Sequence, residues 1–181
     1  MIRAFFILIC FIILGAVIFI YSGTYNIAAT VPHSEVAAWV FNTVKMSSVR
    51  KHSEGIKEPS LEGEALVREG FEHYENMCVG CHGAPGTDPA KEFNPAPPAL
   101  ADVVLELRPA ELFWIIKNGI KMTGMPESGS TRSDEEIWGI VAFIERLPEL
   151  TPEQYKLMKG ETRDNQQNRK HSLVNTRTFP R

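Results

Sequence analysis

Two cysteines and a histidine at positions 78, 81 and 82, in the stretch Cys-Val-Gly-Cys-His, have the types and spacing to do chemistry. Two thiols three positions apart could bind a structural metal ion, cycle as a redox dithiol, or attach a haem. In a haem site, the thiols of Cys78 and Cys81 add to the two vinyl groups of one porphyrin. The imidazole of His82 is then carried over the ring face, where it reaches the iron.

The rest of the sequence disfavours zinc and a redox dithiol. A structural zinc site needs four ligands, commonly including a second Cys or His pair. After Cys81 the remaining histidines are His82 and His171, the latter in the polar tail. A thioredoxin-like dithiol lies at a helix start within a strand–helix–strand unit, whereas this pair lies at the end of a predicted helix with no predicted strand nearby. Covalent attachment of one haem c is therefore the favoured chemistry.

The helix that leads into the motif is predicted from about Glu64. Its apolar face is formed by Val67, Gly70, Phe71, Tyr74, Met77 and Cys78. Seven glycines and prolines within residues 83–101 exclude a long helix or a central strand there. The motif therefore lies between an amphipathic helix and a long, rigid loop.

Three more helices are predicted after this loop. One begins at Pro109 and ends at Asn118-Gly119. The second is capped by Ser133 and Glu136 and ends before Pro148; its predicted buried residues are Ile137, Ile140, Val141 and Ile144. A short last helix opens at 151–152 and is predicted to stop at Gly160. The fold class is thus all-α, and so few residues with so much loop would be marginal without a haem to complete the core.

Met125 is the candidate sixth ligand. It lies in a Gly-Met-Pro loop between two helices, 43 residues after His82. Methionine and histidine together raise the potential of a haem iron and leave no open position for a substrate. Most methionines are core residues, but this loop placement downstream of the motif favours a ligand. Met122 ranks second because no proline follows it, and His73 ranks below both.

The N-terminus carries an uncharged run of eighteen residues, Ala4 to Tyr21. At about 1.5 Å per residue it spans roughly 27 Å, close to the thickness of a bilayer core. We expect residues 1–23 to be an uncleaved signal-anchor through the bilayer, with the following chain outside the cytoplasm. A cleaved signal peptide is the alternative, with residues 27–29 as a passable cleavage site. Cys10 lies in this run as a small apolar residue.

Residues 24–62 are predicted to be an extracytoplasmic helix and a linker. The helix, over about 32–50 with Ser34 as its cap, is interpreted as a packing or membrane-surface helix. The compact helical domain that carries the motif is assigned to 63–150, and residues 151–181 to the short helix and a disordered tail. The net charge of −3 gives no indication of a nucleic-acid partner.

Over about residues 63–148 the sequence resembles the class I c-type cytochromes. The elements that carry the resemblance are Gly70 and Tyr74 before the motif, Cys78 to His82, Pro98-Ala99-Leu100, Asn118-Gly119, Thr123 to Pro126, and Ile137-Trp138 with Ala142-Phe143. The family implies short helices around one covalently bound haem, with the first helix crossing the last near Gly70 and Phe143. It also implies that the Pro98 carbonyl accepts a hydrogen bond from His82 Nδ1.

Two tryptophans lie within the segment that carries the resemblance. Trp114 either reaches a haem propionate through its indole N–H or packs in the core, and Trp138 is interpreted as structural. The anchored, single-haem arrangement looks like the membrane-bound cytochrome subunits of respiratory complexes.

The function expected from the sequence is single-electron transfer at the periplasmic face of a bacterial inner membrane. The protein would act as a subunit or close partner of a membrane-bound redox complex, without being an enzyme itself. The alternative is a haem enzyme or gas sensor with a labile sixth ligand.

Overall fold

A computed structural model describes residues 2–162 of the chain. The described residues form helices and no strand, which confirms the all-α prediction. The helices are α1 (Ile2–Tyr21), α2 (Glu35–Ser53), α3 (Glu64–Met77), α4 (Val79–His82), α5 (Leu100–Val103), α6 (Pro109–Asn118), α7 (Asp134–Ile144) and α8 (152–162). Short 3₁₀ turns follow α5 and α7 at Val104–Glu106 and Leu147–Glu149. Helix α1 is long and apolar enough to span a membrane, and none of its residues is buried.

The crossing of α3 and α7 organises the core. A Cβ atom on Gly70 would collide with the carbonyl oxygen of Gly139, so the two backbones touch at this point. The crossing implied by the resemblance lay near Phe143, but the closest approach is one turn earlier in α7. Phe143 packs against Phe71 instead, edge to face, with ring centroids 5.2 Å apart.

Helix α7 is buried from Ile137 to Ile144, which agrees with the apolar positions predicted for it. Its Trp138 stacks on Phe113 of α6 with ring centroids 4.3 Å apart, so the structural interpretation of Trp138 is confirmed. Met77, at the end of α3, was predicted to lie on the apolar face of this helix. That prediction is wrong, because the side chain is 39% exposed. Helix α3 is ending at this residue, and the chain turns into α4.

Local capping residues set the helix ends as predicted. Ser133 and Glu136 form both hydrogen bonds of a capping box at the start of α7. Ser34 caps α2, where its hydroxyl accepts a hydrogen bond from the backbone N–H of Ala37. Helix α6 begins at Pro109 and ends at Asn118, and the following Gly119 has a φ of +65°. A left-handed residue after a helix favours glycine because it has no Cβ.

The segment between α2 and α3 is packed and hydrogen-bonded to the domain, whereas the sequence predicted only a linker after the helix over about 32–50. Helix α2 extends to Ser53, whose Oγ accepts a hydrogen bond from Arg108 Nη2 at 3.2 Å. A carboxylate oxygen of Glu58 accepts the backbone N–H of Ala110 at 3.1 Å, which satisfies a free donor in the first turn of α6. Two apolar residues of the segment, Ile56 and Leu61, pack against the core.

Helix α8 also belongs to the packed core. Tyr155 is 5% exposed and contacts both Phe71 and Phe143. The helix continues through Gly160, so the predicted stop at this residue is wrong. A glycine costs a helix only about 1 kcal/mol relative to alanine, and such a cost does not end a helix that packing holds in place. The predicted disordered tail lies outside the described residues from 163 onward.

Candidate functional site

The two cysteines and the histidine lie on one tight turn after α3. The backbone N–H groups of Cys81 and His82 both donate to the carbonyl oxygen of Cys78, at 3.1 and 2.9 Å. The next residue, Gly83, has a φ of +69° and turns the chain sharply. Its carbonyl oxygen accepts a hydrogen bond from the buried hydroxyl of Tyr74 at 2.7 Å. This contact fixes the end of the motif against the helix that precedes it.

The imidazole of His82 is oriented by the proline-rich loop, residues 83–99 between α4 and α5. Its Nδ1 atom lies 2.9 Å from the carbonyl oxygen of Pro98, the contact that the resemblance implies. A carbonyl oxygen can only accept, so Nδ1 carries the proton and the lone pair is on Nε2. A hydrogen bond of this kind fixes the tautomer and the ring orientation of a metal ligand and raises its basicity. His82 therefore presents one nitrogen that is ready to bind a metal.

Both motif cysteines are free thiols in this structure. Cys78 packs against the core cluster, and burial raises the pKa of its thiol to about 12, with a smaller contribution from nearby Cys81. A buried thiol is a poor thiolate ligand. Formation of a thioether removes this ionisable group, so the apolar surroundings of Cys78 fit covalent attachment to a porphyrin.

The loop that carries Met125 is folded back onto the end of α6. The backbone N–H of Ile120 donates to the Met125 carbonyl oxygen at 3.2 Å, and the Met125 N–H donates to Thr123 Oγ1 at 3.1 Å. At Gly119, a side chain would press against the backbone of Met125 and Pro126. The loop is thereby closed around Met125, whose side chain is half-buried against the core cluster.

An aromatic ring that the sequence interpretation did not single out covers this loop. A Cβ atom on Gly124 would lie 2.6 Å from a ring carbon of Phe93. Phe93 comes from the proline-rich loop, so the loop after His82 and the loop that carries Met125 touch at this point. The absence of a side chain at residue 124 is what allows the contact.

The two rivals of Met125 lie in different surroundings. Met122 is 82% exposed, and its φ of +60° lies in the left-handed region. The imidazole of His73 lies between Glu69 and Glu136, with Nε2 at 3.9 and 3.4 Å from their carboxylate oxygens. Of the three, Met125 is the one that packs with Cys78 in the same cluster. Its role as the sixth ligand remains a prediction.

Trp114 contacts a histidine of α2. Its ring lies 5.4 Å from the ring of His52 in α2, at an angle of 31° between the planes. This contact joins α2 to α6 and gives Trp114 a packing role. Its interpretation as a partner of a haem propionate stays a prediction. Sequence spacing gives no signal for such a pair, because the two residues lie in different helices.

These features define a class of protein. A helical domain with Cys-x-x-Cys-His after its first helix, a histidine hydrogen-bonded to a loop proline, and a closed Gly-Met-Pro loop is a class I c-type cytochrome domain. Residues 65–144 match the family described as cytochrome C oxidase, cbb3-type, subunit III. This segment is a monohaem c-type cytochrome domain that binds haem c covalently. A comparison with curated proteins finds no match to the chain.

The residues present fit this prosthetic group. Two unpaired thiols and one imidazole with a free Nε2 lie on the same turn, and the packed methionine lies in a loop that touches the proline-rich loop. Cys78 and Cys81 would hold the porphyrin edge, and His82 and Met125 would bind the iron.

Proposed function

We propose that this protein is a membrane-anchored cytochrome c that passes single electrons and catalyses no bond chemistry of its own. The orientation of His82 by the Pro98 carbonyl, at 2.9 Å, is the observation that carries the proposal. It fixes the tautomer of the imidazole, so that Nε2 would be free to bind the haem iron. The bound haem supplies a one-electron iron couple. His82 and Met125 would both bind the iron, and this would leave no site for a substrate.

The proposal places the cytochrome domain on the periplasmic side of a bacterial inner membrane. Helix α1 is an apolar helix of 20 residues, the length that a bilayer core requires. One basic residue, Arg3, precedes its apolar run and none follows until Lys45, which favours an N-terminus in the cytoplasm. Attachment of c-type haem outside the cytoplasm is consistent with this orientation.

We further propose that the protein works as a subunit or close partner of a membrane-bound redox complex. The matched family is named for a subunit of a terminal oxidase, which supports a complex of the respiratory type. An anchor would also keep the cytochrome at a high effective concentration near partners in the same membrane. We propose no nucleic-acid partner.

The test is purification of the full-length protein from its own membrane in a mild detergent. We expect a c-type absorption spectrum, one reversible one-electron transition in a potentiometric titration, and a reduced form that does not bind carbon monoxide rapidly. A stable stoichiometric assembly with other redox subunits would support the complex. A lone monomer would argue against it, and rapid carbon monoxide binding would favour the alternative of a haem enzyme or gas sensor.

A further inference from the structure

The N-terminal half of α2 carries large apolar side chains that the rest of the described chain leaves 40% or more exposed. Val36, Trp39 and Val44 are 72%, 68% and 62% exposed, and Val40 and Phe41 are exposed as well. Isolated apolar residues are normal on a protein surface, but a contiguous group marks a site of contact with a membrane or another protein. This exposed group is the apolar half of α2, residues 36–44.

The apolar half points away from the cytochrome domain. Val36, Val40 and Val44 recur every four residues and so lie on one side of α2. Val49, which is 1% exposed, lies nine residues after Val40. Nine residues are about two and a half helical turns, so Val40 and Val49 face opposite sides. The domain covers the Val49 side, and the valine stripe is left on the outer side.

Several contacts hold the helix rigidly on the domain. Besides the bond from Arg108 to Ser53, the ring of His52 packs against Trp114. At the other end of the segment, Asn94 Nδ2 donates to the Val31 carbonyl oxygen at 2.7 Å. The apolar half is thus carried at a set angle to the domain, between two points of attachment.

The sequence on either side indicates what covers this surface. Between Arg3 and Lys45 the only Asp, Glu, Lys or Arg is Glu35. The stretch therefore continues from the apolar α1 into α2 almost without charge. It also carries Tyr25 and Trp39, the amphipathic aromatic residues that favour the boundary between lipid tails and headgroups. A protein–protein interface has a polar rim, which this stretch lacks. An apolar surface next to a membrane helix is therefore better suited to contact with lipid.

We propose that residues 22–44 lie in the headgroup region of the leaflet where α1 ends, with the valine stripe and Trp39 turned towards the lipid. This inference rests on the proposed membrane anchoring of α1. Since the contacts at Ser53, His52 and Val31 join this segment to the domain, it orients the cytochrome domain relative to the membrane surface. The haem would then meet membrane partners in one preferred orientation and not on a freely swinging tether.

The test uses cysteines in the full-length haem protein, in membrane vesicles from the producing cells. The motif thiols are blocked as thioethers, so Cys10 is the native reactive thiol within α1. Val36→Cys and Leu157→Cys are each made in a Cys10→Ala background. Leu157 is a matched control, because it is also an exposed apolar helix residue, at 68%. Each thiol is treated with a polar maleimide, and a second sample is labelled with a benzophenone maleimide, irradiated and analysed by mass spectrometry.

We expect Val36→Cys to react with the polar maleimide on the order of tenfold more slowly than Leu157→Cys, because thiolate formation is disfavoured away from water. Its photoproduct should carry a phospholipid. Equal reaction rates at the two positions would overturn the inference, and so would a photoproduct with another protein or a second copy of this chain. In the unsubstituted chain, protection of Cys10 reports anchoring separately. If Cys10 is protected and Val36→Cys is not, the interface assignment alone fails; if Cys10 reacts freely, the anchoring fails and the inference with it.

Discussion

The Nδ1 atom of His82 lies 2.9 Å from the carbonyl oxygen of Pro98, sixteen residues further along the chain. This contact couples the motif to the proline-rich loop. The position of the loop carbonyl therefore affects how much electron density the imidazole can give to a metal. A ligand that donates more strongly favours the ferric state and lowers the potential of the iron.

Replacing Pro98 with alanine should raise the midpoint potential. The carbonyl acceptor is retained, but the ring that restricts φ at this residue is lost, so the acceptor can move away from Nδ1. We expect the haem to attach normally and the potential to shift upward in a redox titration. Pro97→Ala is the matched control, because it removes the same ring from a residue whose carbonyl is not the acceptor. An equal potential for both variants would argue against this role of Pro98.

Replacing Met125 with alanine should lower the potential and open the iron to added ligands. The loss of a thioether ligand removes its preference for the ferrous state. We expect a decrease on the order of a tenth of a volt or more, within the ~0.8 V range over which axial ligands act. Reduced Met125→Ala should also bind carbon monoxide. Met122→Ala is the control, since its side chain is exposed, and it should keep the original potential and spectrum.

If Met122→Ala changed the spectrum and Met125→Ala did not, the assignment of the sixth ligand would have to be reversed. If neither variant changed it, the ligand would come from elsewhere in the chain.

Replacing Gly70 with alanine should strongly destabilise the domain. The added methyl group would collide with the carbonyl oxygen of Gly139, which is backbone and cannot rotate away. We expect a loss of about 3 kcal/mol of unfolding free energy, at the upper end of the usual cost of overpacking, in guanidinium titrations followed by circular dichroism. Gly160→Ala is the control: it lies in helix α8 with open space around its Cβ, so it should be neutral or stabilising by up to about 1 kcal/mol. Equal stabilities would show that the two helices can separate at little cost.

The hydroxyl of Tyr155 should make the protein less stable at alkaline pH. Burial raises the pKa of this hydroxyl, and its hydrogen bond to Glu75 at 2.6 Å raises the pKa further. A phenol in the unfolded chain ionises near pH 10. The stabilisation is therefore fully present below about pH 10 and decreases as the pH rises above it, because the unfolded state loses its proton first.

The measurement is the unfolding free energy between neutral pH and about pH 11, just above the reference pKa of tyrosine. Tyr155→Phe should be less stable than the unsubstituted protein at neutral pH and should show a shallower decrease above pH 10. Tyr25→Phe, which loses only an exposed hydrogen bond to His33, should keep the original pH dependence. A decrease of the same slope in Tyr155→Phe would assign the alkaline effect to other groups.

The sequence by itself determined the features that depend on residues close together in the chain. The spacing of Cys78, Cys81 and His82 was enough to indicate haem attachment, and Pro109 and the Ser133 capping box located the starts of two helices. A helix cap is formed within one turn, and the haem motif within five residues. Such signals can be interpreted without knowledge of the fold.

The tertiary structure alone decided which distant residues meet. It paired Gly70 with Gly139 one turn away from the expected crossing, brought Tyr155 into the core, and turned the valine stripe of α2 away from the domain. Apolar periodicity shows that a residue has a buried face, but it does not show which helix covers that face. That choice depends on the packing of the whole chain, where a backbone collision or an uncovered helix side exists only once all the neighbours are in place.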